Sequence, residues 1–179
     1  TGTHAMKDVS LEVKDGEFLV IVGKSGAGKS TLLRTLNGLV KATSGSIKVF
    51  DKEVTTASKN DLRKIRSNTG MIFQTFNLVT RTTVMNNVLT GRLGEMSPFR
   101  GFFSLWSEDD KKIAMQALEE VDISEKAWTR ASKLSGGQQQ RVGIARALAQ
   151  QPKLILADEP VASLDPVTSR KVMDYIKKI

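Results

Sequence analysis

Val9, Leu11 and Val13 alternate with polar neighbours until Lys14-Asp15-Gly16 breaks the pattern, and residues 18–22 then form a nearly continuous apolar run. The alternation and the turn residues predict an antiparallel hairpin leading into a buried central strand. A loop is expected at 23–28, followed by a helix in which Leu32, Leu33, Leu36 and Leu39 form the apolar stripe and Gly38 marks the end. Residues 45–50 are expected to return to a small antiparallel layer, 62–67 to form a short helix and 70–73 another strand. From 77 to about 131 the pattern is mainly helical, which predicts a subdomain inserted into the core. Ser107 reads as an N-cap with Asp110 at the third helical position, ahead of Ile113, Ala117, Leu118 and Val121 on one face. A second long helix is expected at 139–150, a short buried strand at 154–157, and a helix at 168–179 with Val172, Ile176 and Ile179 inward.

Composition narrows the chemistry. A chain of 179 residues suits one substantial α/β core rather than two catalytic domains, and 40% hydrophobic with 26% charged residues is ordinary for a soluble globular domain. No apolar stretch is long enough for a membrane helix, and the short polar opening does not read as a signal peptide. With no cysteine, disulfides, thiolate chemistry and cysteine-bound zinc are excluded, and the single histidine, His4, reads as a loop residue. A formal charge of +8 admits nucleic acid, anionic lipid or a phosphorylated ligand. The basic residues form no long block and no nucleic-acid module, so nucleic acid is not expected as a partner; Lys111-Lys112 and Lys177-Lys178 read as solvated surface. Phe99, Phe102, Phe103 and Trp106 fall in a stretch of weak periodicity and admit two readings, packing within the subdomain or contact with a membrane partner.

Gly23-Lys24-Ser25-Gly26-Ala27-Gly28-Lys29-Ser30-Thr31 matches G-x-x-x-x-G-K-[ST], between an apolar run and a helix with an apolar face. The glycines let successive backbone N–H groups turn toward a phosphate chain, and the helix beginning near Lys29 adds its positive end. Lys29 is expected on the β- and γ-phosphates, Ser30 on Mg²⁺ and Thr31 toward the α-phosphate. Lys24 occupies a free position of the motif, its side chain reading as solvated while its backbone belongs to the loop. The loop alone signifies a nucleoside triphosphate and does not separate a kinase, a GTPase and a motor.

Leu154-Ile155-Leu156-Ala157-Asp158-Glu159 adds an apolar strand ending in two carboxylates. Asp158 is expected near Mg²⁺, and Glu159 to polarise the water that attacks the γ-phosphate. Leu134-Ser135-Gly136-Gly137-Gln138 is followed by the helix expected at 139–150, which contains Arg141, Ala145 and Arg146. Its serine and two glycine backbones at a helix N-terminus make a second anion site, and two copies placed head to tail would close each site with the other's loop.

On these motifs the chain resembles the ATP-binding cassette family along essentially its whole length. The resemblance implies a P-loop NTPase of the ABC type, α/β, with a mainly parallel core sheet, a small antiparallel layer and an inserted helical subdomain. Residues 1–76 would be the P-loop core and antiparallel layer, 77–131 the helical subdomain, and 132–179 the signature motif, acidic-pair strand and following helix. It implies that Ser135, Gly136, Gly137 and Gln138 contact ATP bound to a second subunit in a head-to-tail homodimer. Gln74 matches the family's glutamine that senses Mg²⁺ and water, and Ser163-Leu164-Asp165 the loop that crosses the dimer. The subdomain would dock a membrane-spanning permease at the cytoplasmic face of the bacterial inner membrane, with a solute-binding protein joining through the complex.

Within the family the resemblance is to ATP-binding subunits of bacterial phosphonate importers. It is carried by residues 87–94, the aromatic stretch at 102–106, residues 134–141, and Asp158-Glu159-Pro160-Val161-Ala162-Ser163-Leu164-Asp165-Pro166. The family's adenine-stacking aromatic and its late histidine have no match, which reads as a chain cut short, above all at its C-terminal end. Importers of other small solutes, a DNA-maintenance ATPase and a non-catalytic nucleotide-binding fragment are the alternatives. The DNA reading is opposed by the short span between Ser30 and Leu134, without sustained heptads, and by the lack of cysteine.

Overall fold

The computed structural model describes residues 6–161 and 164–177; His4, Ala162, Ser163, Lys178, Ile179 and the Phe102 side chain, all named above, lie outside the described residues. The chain forms two compact units, one running to Ile65 and the other beginning at Arg66.

In the first unit, α1 (Lys29–Leu36) is entered through Gly28 at φ 92° and left through Asn37. Gly38, at φ 67°, lets the chain reverse so that its N–H reaches the Thr35 carbonyl (3.0 Å) and the Leu39 N–H the Arg34 carbonyl (2.9 Å). This paired closure satisfies carbonyls that the helix end would otherwise leave open. Next, β1 (Lys48–Val49) and β2 (Lys52–Glu53) form an antiparallel pair, Lys48 opposite Glu53 and Val49 opposite Lys52. Phe50 and Asp51 between them both have positive φ, as a two-residue hairpin turn of the mirror-image type requires. The Glu53 carboxylate ties the hairpin together, accepting hydrogen bonds from the Ser46 hydroxyl (2.6 Å), the Ile47 N–H (3.0 Å) and the Thr55 hydroxyl. Helix α2 (Lys59–Ser67) starts three residues before the expected 62 because Ser58 caps it, accepting from the Asp61 N–H at 3.1 Å.

The expected hairpin and central strand at 9–22 are corrected. The turn forms, with Glu17 N–H on the Lys14 carbonyl at 3.0 Å and Gly16 at φ 74°, but no ladder among the described residues includes its arms. Val20 is 63% and Val22 89% exposed. Apolar patterning states which side chains gain from burial; a strand exists only where a neighbouring backbone takes up its N–H and C=O groups.

In the second unit, β3 (Thr69–Ile72) pairs in parallel with β4 (Leu154–Ala157), Thr69 opposite Leu154 and Ile72 opposite Ala157. The connection between them contains α3 (Val84–Leu89), α4 (Pro98–Phe102), α5 (Glu108–Glu120) and α6 (Gly136–Ala149), and α7 (Pro166–Ile176) follows β4. Ser107 and Asp110 cap α5 reciprocally, as the sequence predicts, and Ala114, Ala117, Leu118 and Val121 are buried. Phe99 and Phe103 stand exposed with ring centroids 4.9 Å apart, whereas Trp106 packs against the core, so packing within the unit accounts for Trp106 and not for the two phenylalanines.

Helix α6 is the centre of this unit: Gln140, Val142, Gly143, Ile144, Ala145, Ala147, Leu148 and Ala149 are all buried. A helix buried nearly all round is a core element and not an amphipathic cover. Arg92 ties its end to α5, with Nε donating to Asp110 Oδ1 (3.2 Å) and Nη1 to the Ala149 carbonyl (3.1 Å). Burial pushes the Asp110 carboxyl up, but hydrogen bonds from Ser107 and the Arg92 charge outweigh it and hold its pKa below the ordinary value. Gly91 lies so close to α6 that a Cβ there would overlap the Arg146 carbonyl.

Two outcomes follow from this packing. Gly91→Ala lowers stability by about 1–3 kcal/mol, because the methyl meets rigid helix backbone; urea titration of the purified protein measures it, and an unchanged midpoint contradicts the close approach. The hydrogen bonds from Ser46, Thr55 and Ile47 draw the Glu53 pKa down from 4.5 to about 2, so the stability it contributes is complete above the higher value and lost as pH falls through the lower one. Melting curves across that acidic range are expected to flatten in Glu53→Gln relative to the parent.

Candidate functional site

The glycine-rich loop belongs to the first unit. Gly26 and Gly28 both take left-handed φ, 79° and 92°, which β-carbon-bearing residues rarely adopt. The Ala27 N–H turns back onto the Lys24 carbonyl at 3.2 Å, while a Cβ on Gly23 would lie 3.4 Å from that of Ala27. Across this turn Lys29 Nζ donates to the Gly23 carbonyl (2.9 Å) and the Lys24 carbonyl (3.2 Å). An ammonium is thus held in the loop beside the start of α1, whose first turn carries no acidic residue. Ser25 and Ala27 are exposed, and Ser30 and Thr31 half-buried in the first turn. Curled backbone, fixed cation and helix N-terminus together suit a polyphosphate anion.

The remaining candidate residues belong to the second unit. Asp158 continues β4, its N–H donating to the Ile72 carbonyl (2.9 Å), and is 3% exposed. Glu159 follows with φ 51°, a left-handed turn that swings its side chain into the open. There its Oε2 accepts from Gln74 Nε2 at 3.0 Å, across 85 residues of sequence. Parallel pairing of β3 and β4 produces this meeting, since both strands end together at Ile72 and Ala157.

Ser135 is the N-cap of α6, its hydroxyl accepting from the Gln138 N–H (3.3 Å) while Gln138 Oε1 accepts from the Ser135 N–H (3.0 Å). Gly136 and Gly137 follow as the first helical residues, so α6 begins three residues before the expected 139. Asp165 caps α7, accepting from the backbone N–H groups of Val167 and Thr168, and its pKa is lowered first of all by its bonding to Thr168.

Three further α6 side chains take parts that sequence reasoning left unassigned. Gln140 donates to the Pro160 carbonyl (2.8 Å), Arg146 to the carbonyls of Phe76 (3.2 Å) and Asn77 (2.7 Å), and Arg141 to Thr168 Oγ1 (3.0 Å) with Asp165 Oδ2 at 3.5 Å. Burial draws the Arg146 guanidinium below its ordinary pKa. The signal was present as long polar side chains on a helix otherwise built for the core.

The ABC transporter domain family matches residues 6–162. The chain belongs to the ABC transporter family. It is 54% identical to the phosphonates import ATP-binding protein PhnC 3 of Halalkalibacterium halodurans over 178 residues, which are 99% of this chain and 69% of that protein. The corresponding protein of Lactobacillus johnsonii is also 54% identical, over 99% of this chain and 70% of its own length. Among solved structures, a dimeric bacterial ABC transporter cassette is 38% identical with a TM-score of 0.87, covering 97% of this chain and 74% of that one. A dimeric cassette in a post-hydrolysis state bound to ADP and Pi gives 39% and 0.83 over the same shares. This cassette therefore has the P-loop NTPase fold of ABC ATPases, binds ATP and is of the ATP-hydrolysing type. No helix among the described residues is long and apolar enough to cross a membrane.

The cap on α6 is testable without nucleotide. Ser135→Ala removes the acceptor for the Gln138 N–H and lowers stability by about 1 kcal/mol, whereas Ser135→Asp keeps an acceptor and the stability. Equal urea midpoints for the two variants would show that the cap contributes nothing.

Proposed function

We propose that this cassette is the ATP-hydrolysing subunit of a bacterial phosphonate importer, working as one half of a head-to-tail pair at the cytoplasmic face of the cell membrane. The observation that carries the hydrolytic reading is the 3.0 Å contact between Gln74 and Glu159, two side chains capable of orienting and deprotonating one water molecule. The relatives' names support the cargo, which a solute-binding protein and permease select, and the dimeric cassettes support the pairing.

In this reading the backbone of residues 23–28 wraps the phosphates, Lys29 takes the β- and γ-phosphates and Thr31 the α-phosphate side. Ser30, Asp158 and Gln74 would hold Mg²⁺, which would supply positive charge to the phosphates during transfer. The oxygen donors suit that hard cation. Glu159 accepts the proton of the attacking water, and Gln74 holds that water in line. Ser135, Gly136, Gly137 and Gln138 present their helix N-terminus to ATP on the second subunit, and residues 163–165 cross between subunits. Residues 77–131 act as the docking subdomain, with exposed Phe99 and Phe103 offered to the permease.

Glu159→Gln, made in the full-length protein assembled with its permease, lowers ATP turnover by roughly 10²–10⁴-fold while ATP still binds and the closed pair accumulates. Turnover equal to the parent removes Glu159 from this role. ATP-driven uptake of a labelled alkylphosphonate into vesicles tests the cargo, and its absence alongside vigorous ATPase activity redirects the assignment to another solute.

A further inference from the structure

The glutamine loop and the acidic-pair loop come from distant parts of the sequence, yet one helix holds both. After Gln74 the chain lies along α6: a Cβ on Gly136 would stand 3.8 Å from the Phe76 ring, and one on Gly143 would stand 3.6 Å from the Phe76 carbonyl. Further along the same helix, the Arg146 guanidinium forks onto two successive carbonyls, Phe76 and Asn77. On the opposite side of the Gln74–Glu159 contact, buried Gln140 holds the Pro160 carbonyl, one residue beyond Glu159.

Both loops need such restraint. Glu159 at φ 51° occupies left-handed backbone at a cost that its surroundings must offset, and Asn77 at φ 48° takes the same region, which asparagine enters more readily. A planar fork meeting two carbonyls also fixes direction as well as distance, which a single ammonium cannot do.

We infer that Arg146 is a positioning residue for ATP hydrolysis: by gripping the Phe76 and Asn77 carbonyls it fixes the place where Gln74 meets Glu159. It touches neither the water nor the phosphates and acts through Gln74. The inference rests on the hydrolytic roles proposed above for Gln74 and Glu159.

The test uses the full-length protein in the intact transporter, with Arg146→Lys and Arg146→Gln, each alone and combined with Gln74→Ala. Displacing one catalytic group by a fraction of its contact distance is expected to lower kcat roughly 10- to 100-fold. The ATP dissociation constant should stay within about threefold of the parent, since no phosphate contact is removed. Turnover is expressed per folded site, counted by nucleotide binding, so partial unfolding does not register as lost catalysis. If Arg146 acts through Gln74, adding Gln74→Ala to either variant lowers kcat little beyond Gln74→Ala alone. A residue that only stabilises the fold gives a lowered melting temperature with parental kcat per site, and that result overturns the inference. Fully additive losses overturn it too, as does failure of both single variants to fold, which makes Arg146 a folding residue. A parent transporter without ATPase activity points instead to the hydrolytic reading itself as the error.

Discussion

A helix enclosed by protein has no water to hydrate its polar side chains, so each polar group on it must find a partner or cost the unit stability. This condition governs α6. Its apolar residues form the centre of the second unit, and its long polar side chains reach past that centre to backbone and side-chain acceptors. Gln140 reaches the turn after the acidic pair, Arg141 the cap of α7, and Arg146 the segment following Gln74. For Gln140 and Arg146, satisfying the polar group and fixing the loop are the same act, whereas the buried Arg141 Nε makes no hydrogen bond. The segments around Gln74 and Glu159 are therefore tied to the core while those two side chains stay exposed.

The sheet supplies what the helix does not. Parallel pairing of β3 with β4 ends both strands at one edge, and the ladder continues through the Asp158 N–H. Beyond that edge Glu159 leaves the strand direction through a left-handed turn, so Asp158 stays enclosed while Glu159 comes into the open beside Gln74. Neighbouring carboxylates thus enter different surroundings through one backbone reversal. In the glycine-rich loop, left-handed glycines leave room for the Lys29 side chain to fold back onto carbonyl oxygens. Among the described residues the Lys29 ammonium is held by carbonyl oxygens and by no acidic side chain, an arrangement that suits an incoming anion.

What could be read from the sequence divides along physical lines. Local rules served well: Ser107 with Asp110 capped α5, Gly38 closed α1 and Lys14-Asp15-Gly16 turned. Each depends on chemistry within a few residues. The apolar run at 18–22 misled because burial and ladder partners are supplied by distant chain, which periodicity does not contain. Gly136 and Gly137 hid the first turn of α6, since glycine favours helix weakly and the cap made by Ser135 and Gln138 overrides that preference. The loop motif, the acidic pair and the signature serine announced themselves by residue type and spacing. Gln140 and Arg146 did so only as long polar side chains on an otherwise apolar helix, and which acceptors they reach is set by distant chain.

Those acceptors also determine what can replace what. Arg146 and Gln140 grip main-chain oxygens of Phe76, Asn77 and Pro160, which are present whatever side chain those positions carry. A change at 76 or 77 therefore keeps the acceptor so long as the backbone holds its course, and at Asn77 that course is left-handed. A change at 146 removes the donors, and no exchange of a neighbouring side chain restores them, because a carbonyl can only accept. Such a one-sided interaction concentrates the constraint on the helix and frees the loop composition. It follows that the sequence of the glutamine loop is governed by its conformation and by Gln74 itself, whereas the sequence of α6 is governed by what it must hold.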